Sequence, residues 1–161
     1  MKNNKIIVLA IIISLLVGFF TGFAIGKNQK ENPETPISVN NSKEEKIDED
    51  GSYFSKEEVA LYLHVYGKLP SNYVTKSEAR KAGWSGGSVQ KYLPGKAIGG
   101  DIFSNREGLL PKKDGRVYYE CDIDTDGKSQ RGAKRIVFSN DGLIYYTEDH
   151  YESFELLYGD E

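Results

Sequence analysis

The sequence predicts an α+β domain in which N-terminal helices pack on an antiparallel β-sheet. Two capping signatures, Ser55-Lys56-Glu57-Glu58 and Thr75-Lys76-Ser77-Glu78, open helical stretches in its first half. Short runs rich in β-branched and aromatic residues begin at Val117, Arg135, Leu143 and Phe154 in its second half. Asn140-Asp141-Gly142 stands between two of those runs as a hairpin turn.

In chain order, Ile6 to Ile25 is unbroken by charge or proline and is preceded by Lys2 and Lys5. About 20 helical residues at about 1.5 Å each cross a bilayer core of roughly 30 Å. Residues 1–26 therefore read as a signal peptide or a signal anchor. Ala24-Ile25-Gly26 has the small-x-small pattern of a cleavage site, and Gly18, Gly22 and Gly26 have the spacing that lets two membrane helices pack. Either reading places the rest outside the cell, secreted or held on the outer face of the membrane by residues 6–25. Residues 27–51, with Pro33, Pro36 and the charged run near Asp48, read as a disordered polar linker, leaving residues 52–161 as the folded domain. The first helix carries apolar Val59, Leu61, Tyr62, Leu63, Val65 and Tyr66 and ends at Gly67. The second stops at Gly83, and Ser88 to Tyr92 forms a shorter helical turn.

The chain has 21 Lys and Arg against 24 Asp and Glu, a net charge of −3. From Tyr53 onward the count is 15 against 17, which excludes a general nucleic-acid-coating protein but allows a local cationic cleft. Cys121 is the only cysteine, so no disulfide forms within the chain, and its apolar strand context makes it a small buried side chain. His64, between Leu63 and Val65, reads as a surface or packing residue. Asp122-Ile123-Asp124-Thr125-Asp126-Gly127 matches the first half of a calcium loop. The twelfth position is Ala133 and the flanks are strands, so a strand-connecting turn explains the segment more simply.

Two features carry chemistry. Gly99-Gly100-Asp101-Ile102-Phe103-Ser104-Asn105-Arg106-Glu107-Gly108 is dense in binding groups. A carboxylate beside exposed main-chain N–H groups complements guanine, which has acceptors at O6 and N7 and donors at N1 and N2. Further on, Glu120, Arg131, Arg135 and Asp149-His150-Tyr151 fall on successive strands and their ends. One carboxylate, one imidazole and two guanidiniums, with a lysine such as Lys76, are the parts needed to cleave a phosphodiester without a metal.

From Tyr53 to Tyr158 the chain resembles the barnase-type family of secreted bacterial guanyl-preferring ribonucleases. The resemblance rests on Tyr66 through Ala79, Gly83-Trp84, Pro94 through Gly108, and then Glu120, Asp122, Arg131, Arg135, Ile144-Tyr145 and Asp149-His150-Tyr151. It implies the microbial ribonuclease fold, with Glu120 as general base, His150 as general acid, and Lys76, Arg131 and Arg135 around the scissile phosphate. Main-chain N–H groups of Ser104, Asn105 and Arg106 would meet guanine O6 and N7, and Glu107 would receive from N1 and N2. Tyr151 would lie beside the site, with Asp101 and Asp122 as supports. It implies single-stranded RNA as substrate, no cofactor, a monomeric domain, and a barstar-like intracellular inhibitor as partner. The sequence departs from the family pattern at Gln130, where an aromatic is expected, and in its acidic balance. The competing expectation is a weak or inactive surface-anchored RNA- or protein-binding module on the same fold, with calcium at Asp122, Asp124 and Asp126. The presence of both Glu120 and His150 argues for the enzyme.

Overall fold

The computed structural model describes residues 46–161. The signal or anchor segment and residues 27–45 of the expected linker lie outside the described residues. Among the described residues no helix is long and apolar enough to cross a membrane.

Helix α1 spans Lys56–Tyr66 and α2 spans Lys76–Lys81. Both start at the sequence's capping residues. The box at Thr75 is complete: Glu78 N–H donates to the Thr75 side chain, and the Thr75 N–H donates to Glu78 at 2.8 Å. The box at Ser55 is half-formed, because Ser55 Oγ donates to Glu58 Oε2 at 2.7 Å while accepting the Glu58 N–H at 3.3 Å. Gly67 ends α1 at φ 65°, the left-handed geometry glycine adopts without strain. The third helical turn is a 3₁₀ helix over Val89–Lys91, capped by Ser88.

The sheet has six strands in sequential order: β1 (Tyr73–Val74), β2 (Ala97–Phe103), β3 (Tyr118–Asp122), β4 (Arg135–Ser139), β5 (Ile144–Thr147) and β6 (Glu155–Tyr158). The last four coincide with the expected runs to within one or two residues. The expectation of an all-antiparallel sheet needs correction at one edge, where the two-residue β1 pairs with β2 in parallel. The first half of the glycine-rich segment, given no secondary structure from the sequence, is strand β2. Two glycines hid it, and they mark a register shift between Gly99 and Asp101. A Cβ on Gly99 would stand 2.6 Å from the Cys121 Cβ, and Gly100 takes φ 92°, so the bulge needs both.

The sheet's period of two sorts its residues. One face carries Cys121, Ile136 and Ile144 against Val59, Ala60 and Leu63 of α1, forming the main core. Burial raises the Cys121 thiol well above its usual pKa, which makes it inert. The other face carries Tyr118, Glu120 and Asp122 of β3, Arg135 and Val137 of β4, and Tyr145 and Thr147 of β5. Its apolar end, with Leu110 and Leu143, is a second core cluster, and its charged end is the candidate site. Ala79, Trp84, Val89 and Ile98 form a third cluster beneath α2.

Residues 47 and 49, within the expected linker, bond to the folded domain. Ile47 and Glu49 carbonyls accept from the Tyr66 and Tyr62 hydroxyls at 2.9 and 2.8 Å, and Lys68 pairs with Glu49 at 2.6 Å. A polar composition hid this, because two of the three contacts are made by main-chain carbonyls, which any sequence supplies.

Candidate active site

Glu120 projects from the middle of β3 and is buried, only 7 % exposed. One carboxylate oxygen accepts from the Lys76 ammonium and the other from the Tyr151 hydroxyl. Burial by itself would raise the Glu120 pKa. Hydrogen bonds from Lys76 and Tyr151, with the charges of Lys76 and Arg131, outweigh burial and hold it below the usual carboxylate value. Glu120 is therefore ionised at neutral pH and able to accept a proton. Conversely, burial and the bond to Glu120 push the Tyr151 hydroxyl far above its ordinary value, so it remains a neutral donor.

Lys76 reaches Glu120 because α2 begins beside β2. The Lys76 N–H donates to Asp101 Oδ2 at 2.8 Å, and Asp101 is the register partner of Glu120 across β2 and β3. Asp101 thus ties the start of the helix to the strand pair that carries the carboxylate.

Asp122, two residues along the same face, is 2 % exposed and gathers the guanidiniums. Arg131 donates to it through Nε at 2.6 Å and Nη2 at 2.7 Å, a bidentate pair that raises the Arg131 pKa further. Arg135 Nε lies 2.9 Å from Asp122 Oδ1, but its N–H is not aimed at the oxygen, so this is an ion contact without a hydrogen bond. Arg135 also donates from Nη1 to the Lys134 carbonyl at 2.7 Å and is itself 2 % exposed. The Arg131 guanidinium stands over the Trp84 ring at 5.8 Å, an aromatic wall the sequence reading did not assign.

His150 and Tyr151 follow β5 with φ of 60° and 76°, values that side chains other than glycine rarely adopt. Asp149 holds them there. Its Oδ1 accepts from Thr147 Oγ1 at 2.8 Å and from the Glu152 and Ser153 N–H groups at 3.0 Å, and its Oδ2 accepts from Ser153 Oγ. Thr147 Oγ1, almost fully buried, accepts the Tyr151 N–H at 3.0 Å. The bonds from Ser153 and Thr147 lower the Asp149 pKa to about 2. Sequence reasoning gave these two residues no role, although an Asp followed four residues later by Ser is the signal of such a local cage. The exposed His150 ring packs 4.8 Å from the Tyr151 ring, and Tyr151 in turn contacts Glu120.

The Ser104–Glu107 segment leaves β2 at Phe103, whose ring is 5.1 Å from that of Tyr151. Asn105 is buried with φ 41° and closes the loop on Leu110: its Nδ2 donates to the Leu110 carbonyl at 2.8 Å, and its Oδ1 accepts the Leu110 N–H at 3.1 Å. Ser104, Arg106 and Glu107 are exposed. The Asn105 side chain is thus committed to shaping the loop.

The calcium arrangement is not assembled. Asp122 binds the two arginines, Asp124 pairs with Lys134 at 2.7 Å, and Asp126 accepts from Gln90 at 3.1 Å. Among the described residues, no three His, Cys, Asp or Glu side chains converge as a metal cage. A cleft of about 970 Å³ lies beside the site and shares only Arg131 with it.

An ionised carboxylate, one lysine, two arginines and a histidine-bearing loop on one sheet face have the chemistry of a phosphate-ester site. The comparisons agree with that class. The ribonuclease family profile matches residues 56–158. A ribonuclease of Bacillus pumilus is 42% identical over 84% of this chain and 86% of its own. A ribonuclease of Heyndrickxia coagulans is 52% identical over 60% of this chain and 89% of its own. Guanyl-specific ribonuclease St of Saccharopolyspora erythraea is 47% identical over 35% of this chain and 56% of its own. Among solved structures, ribonuclease Sa2 with guanosine-2'-cyclophosphate is 40% identical over 36% of this chain and 61% of that chain, with a TM-score of 0.32. This chain belongs to the ribonuclease family.

Proposed function

We propose that the chain is an extracellular endoribonuclease that cleaves single-stranded RNA on the 3′ side of guanosine by metal-free acid–base chemistry. The observation that carries the reading is the ionised Glu120 carboxylate, held at the sheet face by Lys76 and Tyr151 beside the Asp122-bound arginines. Glu120 takes the proton of the guanosine 2′-hydroxyl, and the 2′-oxygen attacks phosphorus. His150, as imidazolium, gives a proton to the leaving 5′-oxygen, and a 2′,3′-cyclic phosphate forms. In the second step His150 takes a proton from water, the hydroxide opens the cyclic ester, and Glu120 returns its proton to the 2′-oxygen.

Lys76, Arg131 and Arg135 balance the charge that gathers on the phosphoryl oxygens. Fixing the arginines on Asp122 beforehand removes the cost of orienting them during the reaction. Ser104, Asn105 and Arg106 present main-chain N–H groups to guanine O6 and N7, and Glu107 accepts from N1 and N2. The guanyl-specific relative supports that assignment of base.

The apolar segment Ile6 to Ile25 supports export, with membrane attachment if it is retained. An exported ribonuclease endangers its producer, which supports a barstar-like inhibitor placing acidic groups over Lys76, Arg106, Arg131 and Arg135. Sequencing the new 3′ ends of a digested RNA tests the base preference. Ends enriched in guanosine are expected, and ends without base preference would remove the role given to Ser104 through Glu107.

A further inference from the structure

Arg131 is carried into the site by the connection between β3 and β4, and much of that connection has little to rest on. Asp126 to Gln130 are five consecutive exposed residues. One flank of the loop borders the cleft of about 970 Å³, whose remaining lining comes from Ser52, Phe54, Ser55, Glu58 and Glu148. The other flank leans on the segment from Trp84 to Gln90. The Ser88 N–H donates to the Ser129 carbonyl at 3.1 Å. Gln90 uses both ends of its amide: Nε2 donates to Asp126 Oδ1 at 3.1 Å, and Oε1 accepts the Gly127 N–H at 3.4 Å. The loop lies directly against Gly87, where a Cβ would stand 3.5 Å from the Ser129 carbonyl oxygen and 3.6 Å from Gln130 Oε1. The supporting segment is itself anchored. Trp84 Nε1 donates to the Gly87 carbonyl at 3.0 Å, and Trp84 and Val89 are buried in the cluster with Ala79 and Ile98.

Resting on the proposed reaction, we infer that Gln90 is a positioning residue for phosphodiester cleavage that acts through Arg131. Asp122 orients the free guanidinium. Once phosphoryl oxygens draw on the same N–H groups, that carboxylate no longer sets the place of the positive charge alone. The position of the loop backbone then decides where the charge stands, and a small displacement of a fixed charge is costly in the transition state. Gln90 fixes that backbone at Asp126 and Gly127, five and four residues before Arg131, on the flank away from the open cleft. An amide suits the task because it must donate to a carboxylate and accept from an N–H. A carboxylate or an ammonium supplies only one of the two. Gln90 touches neither the Glu120 carboxylate nor the arginines, so its effect on the chemistry passes through the loop.

The test measures kcat and KM of the full chain for guanylyl-3′,5′-uridine in a set of variants. Gln90→Glu sets a carboxylate against Asp126 and should lower kcat about tenfold with KM little changed. Gln90→Ala removes both hydrogen bonds without adding charge and should lower kcat about threefold. Gln90→Glu combined with Asp126→Asn restores both bonds with donor and acceptor exchanged and leaves the net charge as it was. That pair should return kcat to within about twofold of wild type. In an Arg131→Gln background, Gln90→Glu should change kcat by less than about twofold, because the group it positions is gone. An undiminished kcat in Gln90→Glu and Gln90→Ala, a loss that Asp126→Asn does not rescue, or an equal loss with and without Arg131 would overturn the positioning role alone. A wild-type chain that folds but leaves the dinucleotide uncleaved would overturn the proposed reaction, and the role of Gln90 with it.

Discussion

The charged end of the sheet and the loop proposed to read guanine lie side by side but are ordered by opposite means. On the sheet every functional side chain is pinned by another charge: Lys76 by Glu120, and Arg131 and Arg135 by Asp122. In the loop the outward side chains of Ser104, Arg106 and Glu107 are exposed, and order comes from the neutral Asn105 side chain bonded to the Leu110 main chain. The difference teaches what each task requires. Stabilising a transient charge demands fixed charges in a shielded place, whereas reading a base edge demands a backbone of set shape with unused N–H groups.

The largest effect on stability should follow removal of Asp122. Asp122→Ala leaves the 2 % exposed Arg135 without its anion and should cost about 3–5 kcal/mol, measured by denaturant unfolding. If the variant unfolds at the wild-type midpoint, the sheet end is not held by charge in the way described.

Asp149→Ala should separate position from charge, because it releases the turn that carries His150 and Tyr151. We expect kcat to fall roughly 10- to 100-fold with KM little altered. The Asp149 pKa is depressed to about 2, so its stabilising contribution is present above the unfolded carboxylate value and is lost as pH falls toward 2. In the variant that acid-induced loss should shrink. A change in KM alone would place Asp149 in recognition instead.

Asn105→Ala removes the side chain that ties the loop to Leu110. Two hydrogen bonds are lost and an alanine must hold φ 41°, so KM for guanosine substrates should rise about tenfold while kcat on bound substrate changes less. An equal loss in kcat would mean that the loop and the sheet act as one unit.

The smallest change expected is in pH dependence. Glu120 is held below the usual carboxylate range, so the acid limb of kcat/KM should lie below that of a free glutamate. Lys76→Gln removes a hydrogen bond and a positive charge while leaving burial in place, so the limb should move to higher pH. A limb that stays in place would show that Lys76 does not tune Glu120.

The same contrast explains what the sequence made legible. Ser55, Thr75 and the Asn140-Asp141-Gly142 turn act locally, through neighbours within three or four residues, and each marks the start of a helix or a hairpin where it was read. Strands β3 to β6 carry their own runs of β-branched and aromatic residues and were legible for the same reason. Strand β2 was not, since its glycines lack the side chains that reveal a period, and β1 is two residues whose pairing depends on a partner more than 20 positions away. Within the candidate site, Glu120 and the arginines stood out by residue type. The cage built by Thr147, Asp149 and Ser153 and the wall formed by Trp84 did not, because their function is to hold other groups.

The central claim is that Glu120 and His150 move the protons. The measurement is cleavage of guanylyl-3′,5′-uridine by the full chain in excess chelator, beside Glu120→Ala and His150→Ala, with products followed by chromatography. A 2′,3′-cyclic guanosine phosphate should accumulate first, and its rate of formation should drop at least 10²-fold in each variant. Cleavage that is undiminished in both variants, or that proceeds without the cyclic intermediate, would contradict the account.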